Sequence, residues 1–317
     1  MSKINELVLD KFENFIPIVE VIAGSRLYGT NTEESDTDIR GVFIPSKKYF
    51  LGFANNVEQI ESKRSDVVFF DIRKFFKLCL DCNPNIVELL FIPKDKLIFT
   101  SQIWERIVEN RNLFLSKKAR YTFSGYAVSQ LHRIKQHRNW LLHPVKKQPL
   151  RVDFGLPMNE SLVTKDQMNA YDELKANYNL KFELNPNFLE LLEHEKAFIN
   201  ANRDWNNYEK WKKERNPARA KLEEKFGFDV KHGAHLCRLL SEGKELLLTG
   251  NITFPRPDKD FLLEIISGKY FYDDLMEIVG DLDSKFDKFY EQSILPHSPN
   301  QNKADELCIS IVSENLL

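Results

Sequence analysis

The segment Val19–Ile44 has the sequence VEVIAGSRLYGTNTEESDTDIRGVFI, in which a polar stretch separates two apolar runs. The runs are Val19–Ala23 and Ile39–Ile44, and their β-branched and apolar side chains favour β-strands. The stretch between them contains glycine, asparagine, serine and aspartate, which are typical of turns. We therefore expect two successive strands whose connection carries the chemistry of the protein.

Two aspartates, Asp36 and Asp38, lead into the second run, and we expect them to lie within its strand. Side chains two positions apart in a strand point to the same face, roughly 6–7 Å apart. Carboxylate oxygens suit hard cations, and such a pair can flank two Mg²⁺ or Mn²⁺ ions about 3.5–4 Å apart. The spacing therefore predicts a two-metal site for in-line phosphoryl transfer.

Gly24 and Ser25 directly follow the first run. Because glycine has no side chain, backbone N–H groups can approach a triphosphate closely at this turn. The hydroxyl of Ser25 can donate a hydrogen bond to a phosphate oxygen. We expect these two residues to bind the nucleotide.

The combination of Gly24-Ser25 with Asp36-x-Asp38, twelve positions after Gly24, resembles the signature of the DNA polymerase beta nucleotidyltransferase superfamily. More narrowly, GSRLYGTNTEESDTDIRGV resembles the opening motif of nucleotidyltransferases that accompany RNA ligases in RNA-repair operons. A polar loop alone would also suit an exposed hairpin. Such a hairpin gives no reason for Gly-Ser, Tyr28-Gly29 and the flanked Asp-x-Asp to occur together.

The resemblance implies an enzyme that moves a nucleoside monophosphate from an NTP to an acceptor hydroxyl and releases pyrophosphate. For the narrower family it implies template-independent addition to an RNA end, with functional association with an RNA ligase. Two alternatives remain open: nucleotidylation of a protein or small molecule, and a non-catalytic nucleotide- or RNA-binding module. The complete set of metal-site carboxylates disfavours the non-catalytic module.

The superfamily adds a third acidic residue from a neighbouring strand. Asp66 directly precedes the apolar run Val67–Phe70, and no local cap explains it. Asp71 stands where it would cap the helix that follows. We therefore assign Asp66 as the third catalytic and metal-binding carboxylate, with Asp71, Glu58 and Glu61 as the alternatives.

Two arginines flank the proposed site, Arg26 after the Gly-Ser turn and Arg40 after the Asp-x-Asp. We expect both to neutralise charge on the bound nucleotide. Glu88 lies among apolar residues in a segment similar to the family's Asn-Pro-x-x-x-Glu-Leu. It is predicted to form a buried ion pair with a base such as Arg40.

Strand patterns end near residue 100, and helical periodicity dominates the chain beyond it. The predicted fold class is α+β: a small mixed β-sheet with flanking helices over residues 1–100. A helical domain that completes the cleft is expected over 101–292. The Pro- and Asn-containing segment 293–317 is predicted to be a flexible tail.

The predicted helix of residues 121–142 combines an apolar stripe with cationic side chains. Arg133, Lys135, His137 and Arg138 are candidate contacts to the triphosphate or to an RNA acceptor. A basic face exposed to solvent is the alternative.

The segment 229–250 is the second informative stretch, and it is similar to the family's C-terminal segment. Lys231, His235 and Arg238 are candidate acceptor or phosphate contacts on one side of a helix. The alternative is a partly buried network of histidine and arginine with acidic neighbours.

Composition sets broader limits. The chain has 317 residues, 42% of them hydrophobic and 29% charged, and a net charge of -2, so RNA contacts require a local basic patch. Four cysteines without a second metal-ligand pair at zinc spacing predict reduced thiols. No apolar stretch has the length of a membrane span or a signal peptide, and we expect a cytoplasmic protein with no membrane partner.

Overall fold

A computed structural model of the chain describes residues 15–53, 57–62, 66–177, 185–215 and 217–316. The chain divides into two compact units. The first unit combines Met1–Lys135 with Phe228–Leu317, and the second is Gln136–Gly227. The polypeptide therefore leaves the first unit once and returns to it, whereas the sequence suggested boundaries near residues 100 and 292.

The first unit contains a five-stranded mixed sheet in the order β3-β4-β2-β1-β5. The strands are β1 (Ile16–Ile22), β2 (Ile39–Ile44), β3 (Gln59–Ser62), β4 (Val67–Asp71) and β5 (Leu97–Thr100). The β2 and β4 strands are parallel, and the remaining neighbours are antiparallel. The predicted α+β class is confirmed, with β5 as a strand that the sequence analysis did not identify.

Helices surround and follow the sheet. They are α1 (Ser25–Tyr28), α2 (Lys47–Leu51), α3 (Ile72–Leu80), α4 (Pro84–Val87), α5 (Gln102–Glu109), α6 (Ala119–Leu142), α7 (Lys165–Asn177), α8 (Pro186–Glu214), α9 (Pro217–Phe226), α10 (Val230–Thr249), α11 (Lys259–Ile266), α12 (Tyr272–Ser284), α13 (Phe286–Gln292) and α14 (Gln301–Leu316). Among the residues described, no helix is both long enough and apolar enough to cross a bilayer.

The α3 helix shows how the sequence sets local structure in the first unit. Its apolar residues recur at helical spacing, and Ile72, Phe75 and Cys79 are fully buried on one face. Asp71 caps its N-terminus by accepting a hydrogen bond from the Arg73 amide at 3.2 Å. The predicted capping role of Asp71 is therefore confirmed.

The second unit has a hydrophobic core of its own. Val163, Met168 and Leu192 form one cluster in it. Trp140 and Tyr208 are also buried, and their rings meet edge to face with centroids 5.9 Å apart. These two aromatic side chains are therefore part of the core of the second unit.

The C-terminal segment differs from the predicted flexible tail. Residues 301–316 form α14, and Ala304, Leu307 and Ile311 are buried at helical spacing. Arg106 donates hydrogen bonds to both carboxylate oxygens of Glu314, at 3.0 and 2.8 Å. The Pro- and Asn-containing stretch before this helix is only a connection.

The sheet leaves no space for a side chain at Gly41, because a Cβ there would lie 2.4 Å from Cδ1 of Phe69 and 2.5 Å from the Val19 carbonyl oxygen. We expect Gly41→Ala to destabilise the protein by about 1–3 kcal/mol, because overpacking forces shifts in the sheet. Thermal and urea denaturation will measure the loss.

Gly125→Ala is the matched control, since nothing lies within 4 Å of its added Cβ on α6. It should leave stability unchanged or raise it by roughly 0.5–1 kcal/mol. Equal stability of the two variants would contradict the packing described for β2.

Candidate active site

Gly24 connects β1 to the single-turn helix α1, and its backbone has φ 63° and ψ −148°. A Cβ at this position would lie 2.0 Å from Oδ2 of Asp38. The Ala23 amide also donates to the Asp38 carbonyl oxygen at 2.9 Å. Both the positive φ and the close approach require glycine. The two halves of the sequence motif therefore meet directly.

Asp36 and Asp38 lie just before β2, which begins at Ile39, so they are not within the strand as expected. Asp36 is exposed and Asp38 is partly exposed. The β2 and β4 strands pair in parallel with Ile39 opposite Val67, and the Ile39 amide donates to the Asp66 carbonyl oxygen at 3.0 Å. Asp66 therefore lies at the same edge of the sheet as the Asp-x-Asp.

The electrostatics of Asp38 show that these carboxyl groups influence one another. Burial raises the pKa of Asp38, Arg40 lowers it, and the charges of Asp66 and Asp36 raise it. A cation placed among these groups would relieve their mutual repulsion. The edge of the sheet is therefore suited to positive charge.

Arg40 connects two of the three acidic positions. Its Nη2 lies 3.5 Å from Oδ1 of Asp38, and its Nη1 donates to the carbonyl oxygen of Asp66 at 2.9 Å. The guanidinium group is thus held at the edge of the sheet, beside the place where we expect the nucleotide. Its role toward the nucleotide stays a prediction.

The structure separates the two main alternatives for the third carboxylate. Asp71 is 1% exposed, caps α3, and accepts a hydrogen bond from Arg73 Nε at 2.9 Å. Asp66 is exposed and has a φ of 47°, a conformation that aspartate adopts more readily than most residues. Of these two, only Asp66 is accessible beside Asp38.

Arg26 contacts the polypeptide at the point where we expected it to face a nucleotide. Its Nη2 donates to the carbonyl oxygen of Ser35 at 2.7 Å. The Ser35 hydroxyl in turn accepts from the Thr32 amide at 2.8 Å. Arg26 therefore holds the loop that leads to Asp36.

The acidic residues offer the type of donor that a divalent metal prefers. Within the described part of the chain, no group of three or more His, Cys, Asp or Glu is arranged to hold an ion by itself. Mg²⁺ usually keeps several waters and is bound through one or two carboxylates plus substrate phosphates. Asp36 and Asp38, with Asp66 nearby, provide donors of that kind.

A buried ionic cluster lies next to α1. Arg238 is 3% exposed and donates to Glu242 at 2.7 Å and to Glu88 at 3.1 Å. The Tyr28 hydroxyl donates to Glu88 at 3.1 Å, and the Arg238 guanidinium lies 4.0 Å from the centre of the Tyr28 ring. Arg256, also buried, lies 4.0 Å from Glu242. The predicted buried ion pair of Glu88 is confirmed, with Arg238 as its partner and not Arg40.

The ionisation of this cluster follows from its burial. Burial raises the pKa of Glu88, and the charge of Arg238 acts in the opposite direction. Burial also raises the pKa of Tyr28 well above its ordinary value. The Tyr28 phenol therefore keeps its proton and remains a hydrogen-bond donor.

The candidate contacts on α10 have different surroundings. Lys231 is exposed, but the Arg238 guanidinium is occupied by buried carboxylates and cannot also reach an exposed ligand. For Arg238 the alternative interpretation, a buried His/Arg network with acidic neighbours, is the one that the structure shows. Arg238 Nη2 lies 3.0 Å from Nδ1 of His235, and guanidinium groups only donate, so this nitrogen accepts.

The four candidates on α6 fall into two pairs. Arg133 and Lys135 are exposed and belong to the first unit. His137 and Arg138 belong to the second unit, where Arg138 donates to the Gly227 carbonyl oxygen at 2.9 Å and His137 stacks on Trp140. Arg133 and Lys135 are therefore the exposed pair, and the role of all four toward a ligand stays a prediction.

Sequence reasoning assigned no role to Tyr28, Glu242 or Arg256. The i, i+4 spacing of Arg238 and Glu242 is the signal in the sequence that could have revealed their ion pair. The contacts between these residues and Tyr28 join distant parts of the chain, so no local sequence pattern could have predicted them.

Comparison with known proteins gives two similarities. Residues 9–148 match the family described as "RNA repair pathway DNA polymerase beta family". An uncharacterized 38.9 kDa protein from the nrdC-mobD intergenic region of Enterobacteria phage T4 is 26% identical over 301 residues, which cover 84% of this chain and 87% of the phage protein. No solved structure matches the chain significantly. The predicted likeness to polymerase beta-type nucleotidyltransferases of RNA repair is confirmed over residues 9–148.

Protonation of His235 makes the stability of the folded protein depend on pH. Burial, then Arg238, His232 and Arg133, lower its pKa from 6.5 to about 3. Below pH 6.5 the unfolded chain therefore binds a proton that the folded protein does not. Stability present above this pH is lost as pH falls toward 3.

Between about pH 7 and pH 5, we expect the wild type to lose about 1–2 kcal/mol more stability than His235→Gln. Urea denaturation at both pH values measures this difference, with the exposed His132→Gln as control. Identical pH dependence of wild type and His235→Gln would contradict a neutral, partly buried His235.

Proposed function

We propose, from the match of residues 9–148 to the RNA repair pathway DNA polymerase beta family, that the protein is a nucleotidyltransferase acting at the edge of the sheet. An acceptor hydroxyl oxygen attacks the α-phosphorus of an NTP. The bond between the α-phosphorus and the bridging oxygen breaks, and pyrophosphate leaves. The observation that carries the proposal is the approach of Gly24 to Asp38 beside the exposed Asp36 and Asp66.

The Gly24-Ser25 turn binds the phosphates in this proposal. Because Gly24 has no side chain, the Asp38 carboxylate lies against the backbone of this turn, where a Cβ would be 2.0 Å from Oδ2. The Ser25 hydroxyl, which is partly exposed, donates to a phosphate oxygen. Triphosphate and carboxylates are thereby brought to one place.

Asp36, Asp38 and Asp66 would hold two divalent ions, Mg²⁺ or Mn²⁺. When bound, these ions neutralise negative charge that develops on the triphosphate in the transition state. Asp66 also orients the acceptor hydroxyl and can accept its proton. Arg40, paired with Asp38, adds a fixed positive charge at the same edge.

The proposed acceptor is an RNA end, which the family description supports. The exposed side chains of Arg133, Lys135 and Lys231 in the first unit offer positive charge for its phosphates. An RNA ligase, which would act on the same RNA ends, is the proposed functional partner. We propose that this takes place in the cytoplasm.

The test is incubation with α-labelled NTPs, Mg²⁺ or Mn²⁺, and total RNA. Label in RNA supports the proposal, whereas label in a protein or small molecule supports the alternative acceptor. NTP binding by the folded protein without transfer in either metal would identify a non-catalytic binding module instead.

The Asp-x-Asp supplies the first prediction for this assay. Asp36→Asn or Asp38→Asn should reduce transfer about 10²–10⁴-fold, because charge stabilisation in the transition state is lost. Circular dichroism and thermal denaturation should show an intact fold. Asp95→Asn, whose carboxylate is 73% exposed, is the control and should retain wild-type transfer. Near-wild-type transfer by a folded Asp36/Asp38 double variant would overturn the proposal.

Asp66 and Asp71 should respond in opposite ways. Asp66→Asn should lower transfer and leave the melting temperature unchanged, because asparagine tolerates the same positive φ. Asp71→Ala should cost about 0.5–2 kcal/mol of stability through the lost cap of α3, with transfer retained by the folded fraction. The reverse pattern would move the third carboxylate to Asp71.

A further inference from the structure

The helix that follows the Gly-Ser turn is too short to hold its own position. Helix α1 is a single turn, Ser25–Tyr28, and no side chain caps its N-terminus. Fixing one isolated helical turn is unfavourable, because several backbone dihedrals are ordered for one hydrogen bond. The position of Ser25 must therefore be set by contacts outside the turn.

The side chain at the end of this turn makes such contacts. The Tyr28 hydroxyl lies 3.1 Å from each carboxylate oxygen of Glu88. Arg238 covers the ring of Tyr28 at 4.0 Å, and the same guanidinium binds Glu88 and Glu242. Tyr28 thus contacts both partners of a buried ion pair.

The main chain around Tyr28 is fixed by a second element. Its carbonyl oxygen accepts a hydrogen bond from the Arg256 amide at 3.0 Å. At Gly29 φ is 77°, and an added Cβ would lie 3.0 Å from Cβ of Pro255. The Phe254 ring lies 6.1 Å from the Tyr28 ring. Contacts of the Tyr28 side chain and of the main chain around it therefore both hold the turn in place.

Such a cluster is better suited to fixing geometry than to adding stability. Buried ion pairs often contribute no more stability than well-packed hydrophobic residues of similar volume, because both charges lose their hydration. Their hydrogen bonds, however, are directional and hold their partners at defined positions. Glu88, Arg238 and Glu242 are all buried, so water cannot replace these bonds.

We propose that Tyr28 is a positioning residue whose hydroxyl, held by Glu88, and ring, held by Arg238, fix the Gly24-Ser25 turn for triphosphate binding. The catalytic consequence rests on the function proposed above. The anchoring of the turn does not, and it can be measured without activity.

The experiment is hydrogen exchange of the full chain, monitored in peptides that cover residues 24–30. The Leu27 and Tyr28 amides bond to the Gly24 carbonyl oxygen and the Thr30 amide to that of Ser25, so they report on the turn. Tyr28→Phe keeps the ring over Arg238 and removes the hydroxyl. We expect exchange in these peptides to rise about 10-fold, with β1 and β2 unchanged.

Two variants sharpen the comparison. Tyr126→Phe removes a hydroxyl that accepts from Asn83 Nδ2 at 2.7 Å elsewhere in the first unit, and it should leave residues 24–30 protected. Glu88→Gln retains an acceptor for Tyr28 and should keep exchange within about twofold of wild type. In the transfer assay, Tyr28→Phe should raise KM for the NTP about 10-fold and change kcat less, whereas Tyr126→Phe should change neither.

Unchanged exchange at residues 24–30 in folded Tyr28→Phe would overturn the proposal, as would an equal rise in Tyr126→Phe. If the wild-type protein transfers no label, the function proposed above fails. In that case the exchange result alone decides the role of Tyr28.

Discussion

The parallel pairing of β2 with β4 is the constraint from which the candidate site follows. Parallel strands begin at the same edge of a sheet, so the residues that precede them are neighbours in space. Asp38 precedes one strand and Asp66 the other, and the Ile39 amide joins the two by its bond to the Asp66 carbonyl oxygen. An antiparallel pairing would have put these carboxylates at opposite edges.

A second constraint acts on the other side of the same edge. Gly24 lies so close to the Asp38 carboxylate that only a residue without a side chain fits. The backbone of the Gly-Ser turn and the Asp38 carboxylate are therefore in direct contact. In the function proposed above, this contact brings the phosphate-binding turn next to the carboxylates that would hold the ions.

The sequence predicted the parts of this arrangement that depend on local pattern. Apolar runs located β1, β2 and β4. The position of Asp71 before a helical pattern identified it as a cap, and Asp66 was therefore assigned to the edge of the sheet. The short strand β5 lacked a pattern of its own, since its place is set by pairing with β1.

Long-range contacts explain what the sequence did not show. Arg238 had the spacing of an exposed basic residue, yet Glu88 and Glu242 surround it in the interior. His137 and Arg138 continued the basic pattern of α6, but they serve contacts within the second unit. The sequence pattern around a charged side chain does not show whether that side chain is exposed to water or paired with a buried partner.

The division of the first unit has a consequence for biosynthesis. Glu88 and Arg238 are separated by 150 positions, and the whole second unit is translated between them. At ribosomal rates of about 5–20 residues per second, Arg238 is synthesised roughly 8–30 s after Glu88. During that interval Glu88 and Tyr28 lack their contacts with the Arg238 guanidinium. The Gly-Ser turn therefore lacks the contacts between Tyr28 and Arg238 until late in translation.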